Sequence, residues 1–425
     1  MLFNRLSIQW KITLLAGICL LAIVAVLVSA SVIQAGRNAT LVKHASTEML
    51  EESARLRMSA RGEAQALRMQ RHFMDAFQYG KGTAKQVLFI REQAEKRFLD
   101  AFDLREDLTR QIKSALEANR SLLGIYVAFE PNALDGKDEL FVGQEAIGSN
   151  DKGRFSLYWA QNAKGEINLS AMDEESLNDT TPGISGAPYN AWYSCPLQTR
   201  THCLLEPYVD DTNGVKTLMT SIAFPLEVNG KAIGVVGVDI SLASLQTISE
   251  NAHKALFDGQ GQVSIISPAG ILAGHSRNSQ LLGGKLDKAF ASQADELIRL
   301  TGQNQSQLLH HDGIMQVLEP LQPIPDSKPW AVLVEVPEKV LLAPAIALEG
   351  KMDEMSQRNT TVALILGLAG GLLGLLLIWL TALGVTKPIL AVAAMLKDIA
   401  SGEGDLTKRL TYAKADELGK LAGWF

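Results

Sequence analysis

The sequence predicts an α+β protein: a long N-terminal helix plus two tandem antiparallel-sheet modules, flanked by two transmembrane helices and followed by a short helical segment. Three observations predict it. No charged residue falls between Lys11 and Arg37 or between Arg358 and Lys387, and each gap can cross a bilayer as a helix, which takes about 20 apolar residues. From Asn38 to about Asn119 the chain is rich in Ala, Glu, Arg, Leu and Gln, lacks proline and repeats apolar residues at spacings of three and four, the pattern of amphipathic helix. Beyond it, β-branched and aromatic runs separated by turn residues come in two successive sets.

The expected order is a tail over 1–11, a first span over 12–36, an extracytoplasmic domain over 37–358, a second span over 359–386 and a final segment over 387–425. The first apolar run exceeds the roughly 7–15 residues of a signal-peptide core, and a second span follows, so it reads as a retained anchor. Arg5 and Lys11 before the first span, with Lys387, Lys397, Lys408 and Arg409 after the second, place both ends in the cytoplasm, although Arg37 and Lys43 weaken that asymmetry. The net charge of −6 leaves no polybasic face for nucleic acid. Cys19 lies within the first span. Cys195 and Cys203 close a short loop and read as a disulfide rather than two free thiols, hence as an oxidising compartment; a metal would find only His202 as a third ligand nearby.

Within the middle region the helical stretch is expected to break at Tyr79-Gly80-Lys81-Gly82. Strands follow at Leu122–Phe129, Phe155–Ala160, Glu166–Leu169, Val215–Val228 and Ala232–Ile240, with a hairpin turn at Asn229-Gly230. Ser241–Leu256 reads as a helix. A second set covers Gln262–Ser267, Ile271–His275, Ser306–His311, Met315–Leu321 and Trp330–Val336, with a helix at Leu286–Leu300, and a helix runs from about Glu338 into the second span. There, Gly367 with Gly371 and Gly370 with Gly374 form two G-x-x-x-G pairs suited to close helix approach and to dimerisation.

One carboxylate stands out. Asp239 interrupts a Gly, Val and Ile strand, where a lone charge is costly unless paired; a cationic ligand would pair it, as would backbone N–H groups or a lysine of the chain. Tyr208 and Asp210, two apart on an extended segment, share a face, although Asp210 beside Asp211, Asn213 and Gly214 also fits a turn. Trp192 would lay its indole on an alkylammonium for roughly 1–2 kcal/mol; Trp192 and Tyr193 equally suit a core. Tyr158 and Trp159 would extend the wall, and the acidic loop of Asp173, Glu174, Glu175 and Asp179 reads for the most part as a solvated loop, with a second amine of a diamine as the alternative it could meet. His310 and His311 face opposite ways on a strand, which argues against a metal. The chain carries no P-loop, G-x-S-x-G or H-E-x-x-H motif, no enzymatic activity is expected, and no cofactor is implied.

Several motifs resemble known families. T-K-P-I at Thr386–Ile389, S-G-E-G-D-L-T-K-R-L at Ser401–Leu410 and D-E-L-G at Asp416–Gly419 resemble a HAMP domain, with Pro388 starting a new helix, Gly404 and Asp405 in the connector, and Asp416 and Glu417 opening a second helix that is cut short. Y-N-A-W-Y at Tyr189–Tyr193, E-P-Y-V-D at Glu206–Asp210 and G-V-V-G-V-D-I at Gly234–Ile240 resemble the double Cache (PAS-like) sensor of bacterial chemoreceptors. Its distal module would cover about 120–255 and bind ligand; its proximal module would cover about 256–337. The whole chain looks like the front half of a methyl-accepting chemotaxis protein.

The amino-acid-binding branch of that family carries R-x-W-Y, then Y-x-D, then a later Asp. Trp192, Tyr193, Tyr208, Asp210 and Asp239 match, but Asn190 stands where the arginine that grips a carboxylate belongs, and an amide lacks its charged fork. The resemblance therefore implies the amine branch, with biogenic amines such as histamine or polyamines such as putrescine as ligands. It also implies a homodimer in larger receptor arrays in the bacterial inner membrane, a periplasmic sensor domain, and a cytoplasmic kinase and adaptor as partners. Alternatives are the input half of a histidine kinase or diguanylate cyclase, and a receptor for amino acids. A membrane-anchored enzyme or a transport-associated binding protein fits less well, because neither needs a HAMP relay.

Overall fold

In the computed structural model, which describes residues 7–162, 164–212, 214–401, 417 and 419–420, the chain divides into two compact units. One joins Met1–Glu51 to Pro344–Phe425; the other is Glu52–Ala343.

The second unit begins in a helix that also serves the first, α1 (Ile8–Arg97). The expected break at Tyr79–Gly82 is absent. Gly80 is a contact residue instead: a Cβ there would fall 2.5 Å from the Phe224 ring, so the glycine lets the helix lie close against a sheet. The helix ends at Phe98, which has positive φ, and Asp100 caps the next, α2 (Ala101–Ala118), by accepting from the Phe102 N–H.

The first sheet module contains β1 (Gly124–Phe129), β2 (Ser156–Gln161), β3 (Ile167–Ala171), α3 (Glu174–Asn178), α4 (Ala191–Thr199), β4 (Cys203–Leu204), β5 (Tyr208–Thr212), β6 (Val215–Val228) and β7 (Lys231–Ser241). The antiparallel sheet runs β3-β2-β1-β7-β6-β4, with β5 also on β6. Asn229 and Gly230 both take positive φ between β6 and β7, as a two-residue hairpin turn requires. Strand alternation sorts the side chains. Ile125, Val127, Val236 and Val238 meet Leu104, Leu108 and Ile112 of α2 in the main core. Tyr126, Tyr158, Ala223 and Val235 face the other way and pack with Trp192 and Tyr193 of α4. That second face positions the candidate site.

Ser241 caps α5 (Leu242–Ala255), which leads to the second module: β8 (Gln262–Ile266), β9 (Leu272–His275), α6 (Ala294–Gly302), β10 (Gln307–His311), β11 (Ile314–Leu321) and β12 (Trp330–Pro337). Its sheet runs β10-β11-β12-β8-β9. The helix expected over Leu286–Leu300 is a single 3₁₀ turn at Leu286–Lys288 and, separately, α6. A short α7 (Glu338–Leu341) precedes α8 (Ala343–Ser401), with Leu342 outside helical geometry between them.

In the other unit, the apolar part of α1 packs antiparallel on α8. A Cβ at Gly367 would meet Val28 and one at Gly374 would meet Leu20, while Gly17 faces Leu375 at 2.9 Å and Gly370 faces open space. The glycines therefore seat the two spans of one chain together. Lys43 of α1 pairs with Asp353 of α8 at 3.4 Å. Both helices are long and apolar enough to cross a membrane. Pro388 lies inside α8 rather than starting a helix. Glu417 is helical, and Gly404, Asp405 and Asp416 lie outside the described residues.

Candidate functional site

Asp239 sits near the end of β7, 1% exposed, opposite Gly124 of β1 and Ser221 of β6. Its Oδ1 accepts from the Ser221 hydroxyl at 2.5 Å. Burial pushes its carboxyl up to about 7 against the pull of hydrogen bonds from Ser221 and Tyr158, and the Asp210 charge adds to the rise. Asp210 lies on β5 and accepts from the Tyr189 hydroxyl and from the Asp211 N–H at 2.8 Å; burial raises it too. Among the described residues neither carboxylate has a Lys or Arg partner, the alternative a lone strand carboxylate leaves open. The Tyr208 hydroxyl bonds Ser221 at 2.7 Å, linking β5 to Asp239 through one serine.

Aromatic rings close around the pair. Trp192 of α4 is buried, and its indole Nε1–H meets no acceptor among the described residues. Its backbone carbonyl accepts from the Tyr126 hydroxyl at 3.0 Å, and the two rings meet edge to face at 5.1 Å. Tyr126 belongs to the cage although the sequence reading does not include it. The signal lies in two glycines: a Cβ at Gly237 would overlap the Tyr126 ring, and one at Gly124 would overlap Tyr158. Each glycine flanks Asp239, one two residues before it and the other across the strand pair, so the sheet makes room for tyrosines where its carboxylate sits.

Other expected residues serve elsewhere. Tyr193 turns its hydroxyl to Arg154 and Glu130, and the Arg154 guanidinium stacks 5.0 Å over its ring. Adjacent helix positions point about 100° apart, so Trp192 and Tyr193 do not both enter the cage. Trp159 alternates away from Tyr158 and donates to the Thr109 carbonyl of α2 at 2.9 Å, on the core side of the sheet. Asn190 is a buried structural amide that holds the Leu177 carbonyl at 3.0 Å. The acidic loop is partly the helix α3, capped by Asp173, and Glu174 pairs with Arg154 at 3.2 Å. The charges of Asp173 and Asp179 reach Tyr189, helping to raise its hydroxyl. Cys195 and Cys203 are bonded, S–S 2.00 Å, fastening the middle of α4 to β4.

A cavity of about 650 Å³ lies against the outside of this cage. Tyr189 and Tyr208 form the shared wall, and Glu206, Leu218 and Trp330 are among its other lining residues. Asp239, Asp210 and Trp192 do not line it. The open space and the two carboxylates are thus neighbours, separated by Tyr189 and Tyr208.

Residues 108–247 match the family described as methyl-accepting chemotaxis protein-like, first PDC sensor domain. Along its whole length the chain is 60% identical to methyl-accepting chemotaxis protein TlpQ of Pseudomonas aeruginosa, of which it spans 60%. The chain is a homologue of methyl-accepting chemotaxis proteins. The fold is shared more widely. The extracellular domain of mmHK1S-Z3, named as a histidine kinase, superposes with a TM-score of 0.53 at 21% identity, over 70% of this chain and 97% of that one. The periplasmic sensory domain of Campylobacter jejuni chemoreceptor Tlp1 gives 0.51 at 15% identity, over 68% and 96%. The PDC match places the cage in a sensor domain, and with two spanning helices the chain is a two-pass inner-membrane protein whose sensor domain is periplasmic.

Proposed function

We propose that this chain is the sensory half of a chemoreceptor that binds small amines in the first sheet module. The observation that carries the reading is Asp239: a fully buried carboxylate, backed by a second, half-buried one, with hydroxyls but, among the described residues, no Lys or Arg to balance it. A primary ammonium supplies the missing charge and three N–H donors. Trp192, Tyr126 and Tyr208 form walls for its carbon chain, and Asn190, already committed to Leu177, offers no fork for a carboxylate. Ligand enters from the cavity side past Tyr189, whose hydroxyl leaves Asp210 as the ammonium arrives. The output is control of a cytoplasmic kinase through α8 and the segment that follows it, with a histidine kinase or diguanylate cyclase as the alternative outputs.

One observation favours a second reading. The indole N–H of Trp192 lacks an acceptor, and a ligand carboxylate would meet it, which points to amino acids. Calorimetry on the chain with matched pairs, histidine against histamine and ornithine against putrescine, separates the two. Binding of the amines alone supports the first reading; equal or tighter binding of the amino acids overturns it. Asp239→Ala is expected to cost roughly 3–5 kcal/mol of amine binding, the magnitude for truncating one member of a buried charge pair.

A further inference from the structure

Four strands of the second module repeat the order of four in the first. β9-β8-β12-β11 follow the same order as β2-β1-β7-β6, and β12, like β7, leads directly into a helix. Asp239 lies three residues before Leu242, where α5 begins; Glu335 lies three residues before Glu338, where α7 begins. The registers agree as well. Asp239 faces Gly124 at the start of β1 and Ser221 on β6. Glu335 faces Gln262 at the start of β8 and Gln316 on β11. Glu335 therefore occupies in the second sheet the place that Asp239 occupies in the first. Both carboxylates are buried.

The two sites differ in what meets the carboxylate. Asp239 has hydroxyl neighbours and a glycine. Glu335 is clasped at both oxygens by amides: Gln316 donates to Oε1 at 2.9 Å and Gln262 to Oε2 at 2.7 Å. Gln316 is fixed in turn by Gln293, the two side chains bonded amide to amide at 3.1 Å. An amide NH₂ donates into a carboxylate as an ammonium does, without its full charge. Burial raises the Glu335 carboxyl, and the two amide hydrogen bonds, with the Arg277 charge, oppose that rise.

We infer that the second module carries a duplicate of the carboxylate site in which Gln262 and Gln316 take the ligand's place, and that the first module's residues at those positions, Gln262→Gly and Gln316→Ser, open it to small primary ammonium ions. Only the ligand class rests on the amine reading of Asp239; the duplication rests on register alone. The unaltered chain then binds one amine, not two.

The test titrates the full chain in nanodiscs with alkylammonium chlorides from methyl to butyl, against sodium chloride, and reads binding by calorimetry. Four forms are compared: unaltered, Asp239→Asn, Asp239→Asn with Gln262→Gly and Gln316→Ser, and that triple with Glu335→Gln added. The triple is expected to recover the saturable binding that Asp239→Asn loses, and Glu335→Gln to abolish it again. A folded triple that binds nothing overturns the duplicate site, while binding by the unaltered chain keeps the Asp239 reading intact. The converse pattern, binding by the triple alone, overturns the Asp239 reading and keeps the duplicate. Should the triple not fold, thermal scans of Glu335→Ala, Gln262→Ala and their double variant decide. A double that melts no lower than Glu335→Ala alone is expected, and fully additive losses overturn the proposal.

Discussion

Asp239 governs how the sensor domain responds to pH. Its carboxyl, near 3.8 ordinarily, is pushed up to about 7 in the fold. Between those values the folded chain holds a proton that the unfolded chain has released, so the contribution of Asp239 to stability falls as pH rises from about 4 to 7 and is level above. Binding of a cation draws on the ionised form, so amine affinity is expected to rise by up to tenfold per pH unit until about pH 7 and then plateau. Asp239→Asn removes the buried charge. It is expected to melt higher than the unaltered chain at pH 8 and to bind no amine at any pH; a lower melting temperature at pH 8 would contradict the burial argument. Asp239 is legible in the sequence because a carboxylate inside an apolar strand is a conspicuous exception, and Tyr208 and Asp210 because they share strand parity, whereas Trp192 stands out only through the spacing of the family motif. Tyr126 is not legible, because Gly124-Ile-Tyr-Val-Ala-Phe129 reads as ordinary strand until the register brings Gly124 opposite Asp239. Arg154 was missed because its partners, Glu130, Glu174 and Tyr193, are distant in sequence.

Among the elements, α1 carries a sharp test. Gly80 and Gly82 are two residues apart in one helix, but only Gly80 touches the sheet. Gly82→Ala is expected to stabilise by roughly 0.5–1 kcal/mol, the helix-propensity gain. Gly80→Ala forces its methyl into Phe224 and is expected to destabilise by roughly 1–3 kcal/mol. Opposite signs in chemical denaturation check both, and equal signs would mean that the helix does not press on β6. In the sequence these glycines read as a break, because local propensity carries no information about what a helix lies against. The strands fared better: Val215–Val228 is found with the expected bounds, since alternation and an Asn-Gly turn are local signals. A second anchor was hidden. Arg105 of α2 is fully buried, bonded to Asp135 at 2.8 Å and Asp138 at 2.7 Å, and stacked 4.2 Å over Phe141. Arg105→Ala strands two carboxylates and is expected to cost roughly 3–5 kcal/mol of stability, with no rescue by Arg105→Lys, which cannot reach both.

For the molecule as a whole, the spanning unit predicts a cross-link. In a Cys19→Ser background, Leu20→Cys with Gly374→Cys is expected to oxidise within one chain in membranes, whereas Leu20→Cys with Gly370→Cys is not, because a Cβ at Gly374 meets Leu20 and one at Gly370 meets nothing within 4 Å. Bonding between chains instead would show that the glycine face serves a dimer. The buried aspartate has an energetic consequence on the same scale. Its rise from 3.8 to about 7 corresponds to about 4 kcal/mol of penalty on the charge. A full two-state switch, from 1:99 to 99:1, takes about 5.5 kcal/mol. On the amine reading, the ligand-free sensor domain is a spring held by one costly buried carboxyl, and an arriving cation releases free energy of the same order as a switch of conformation requires.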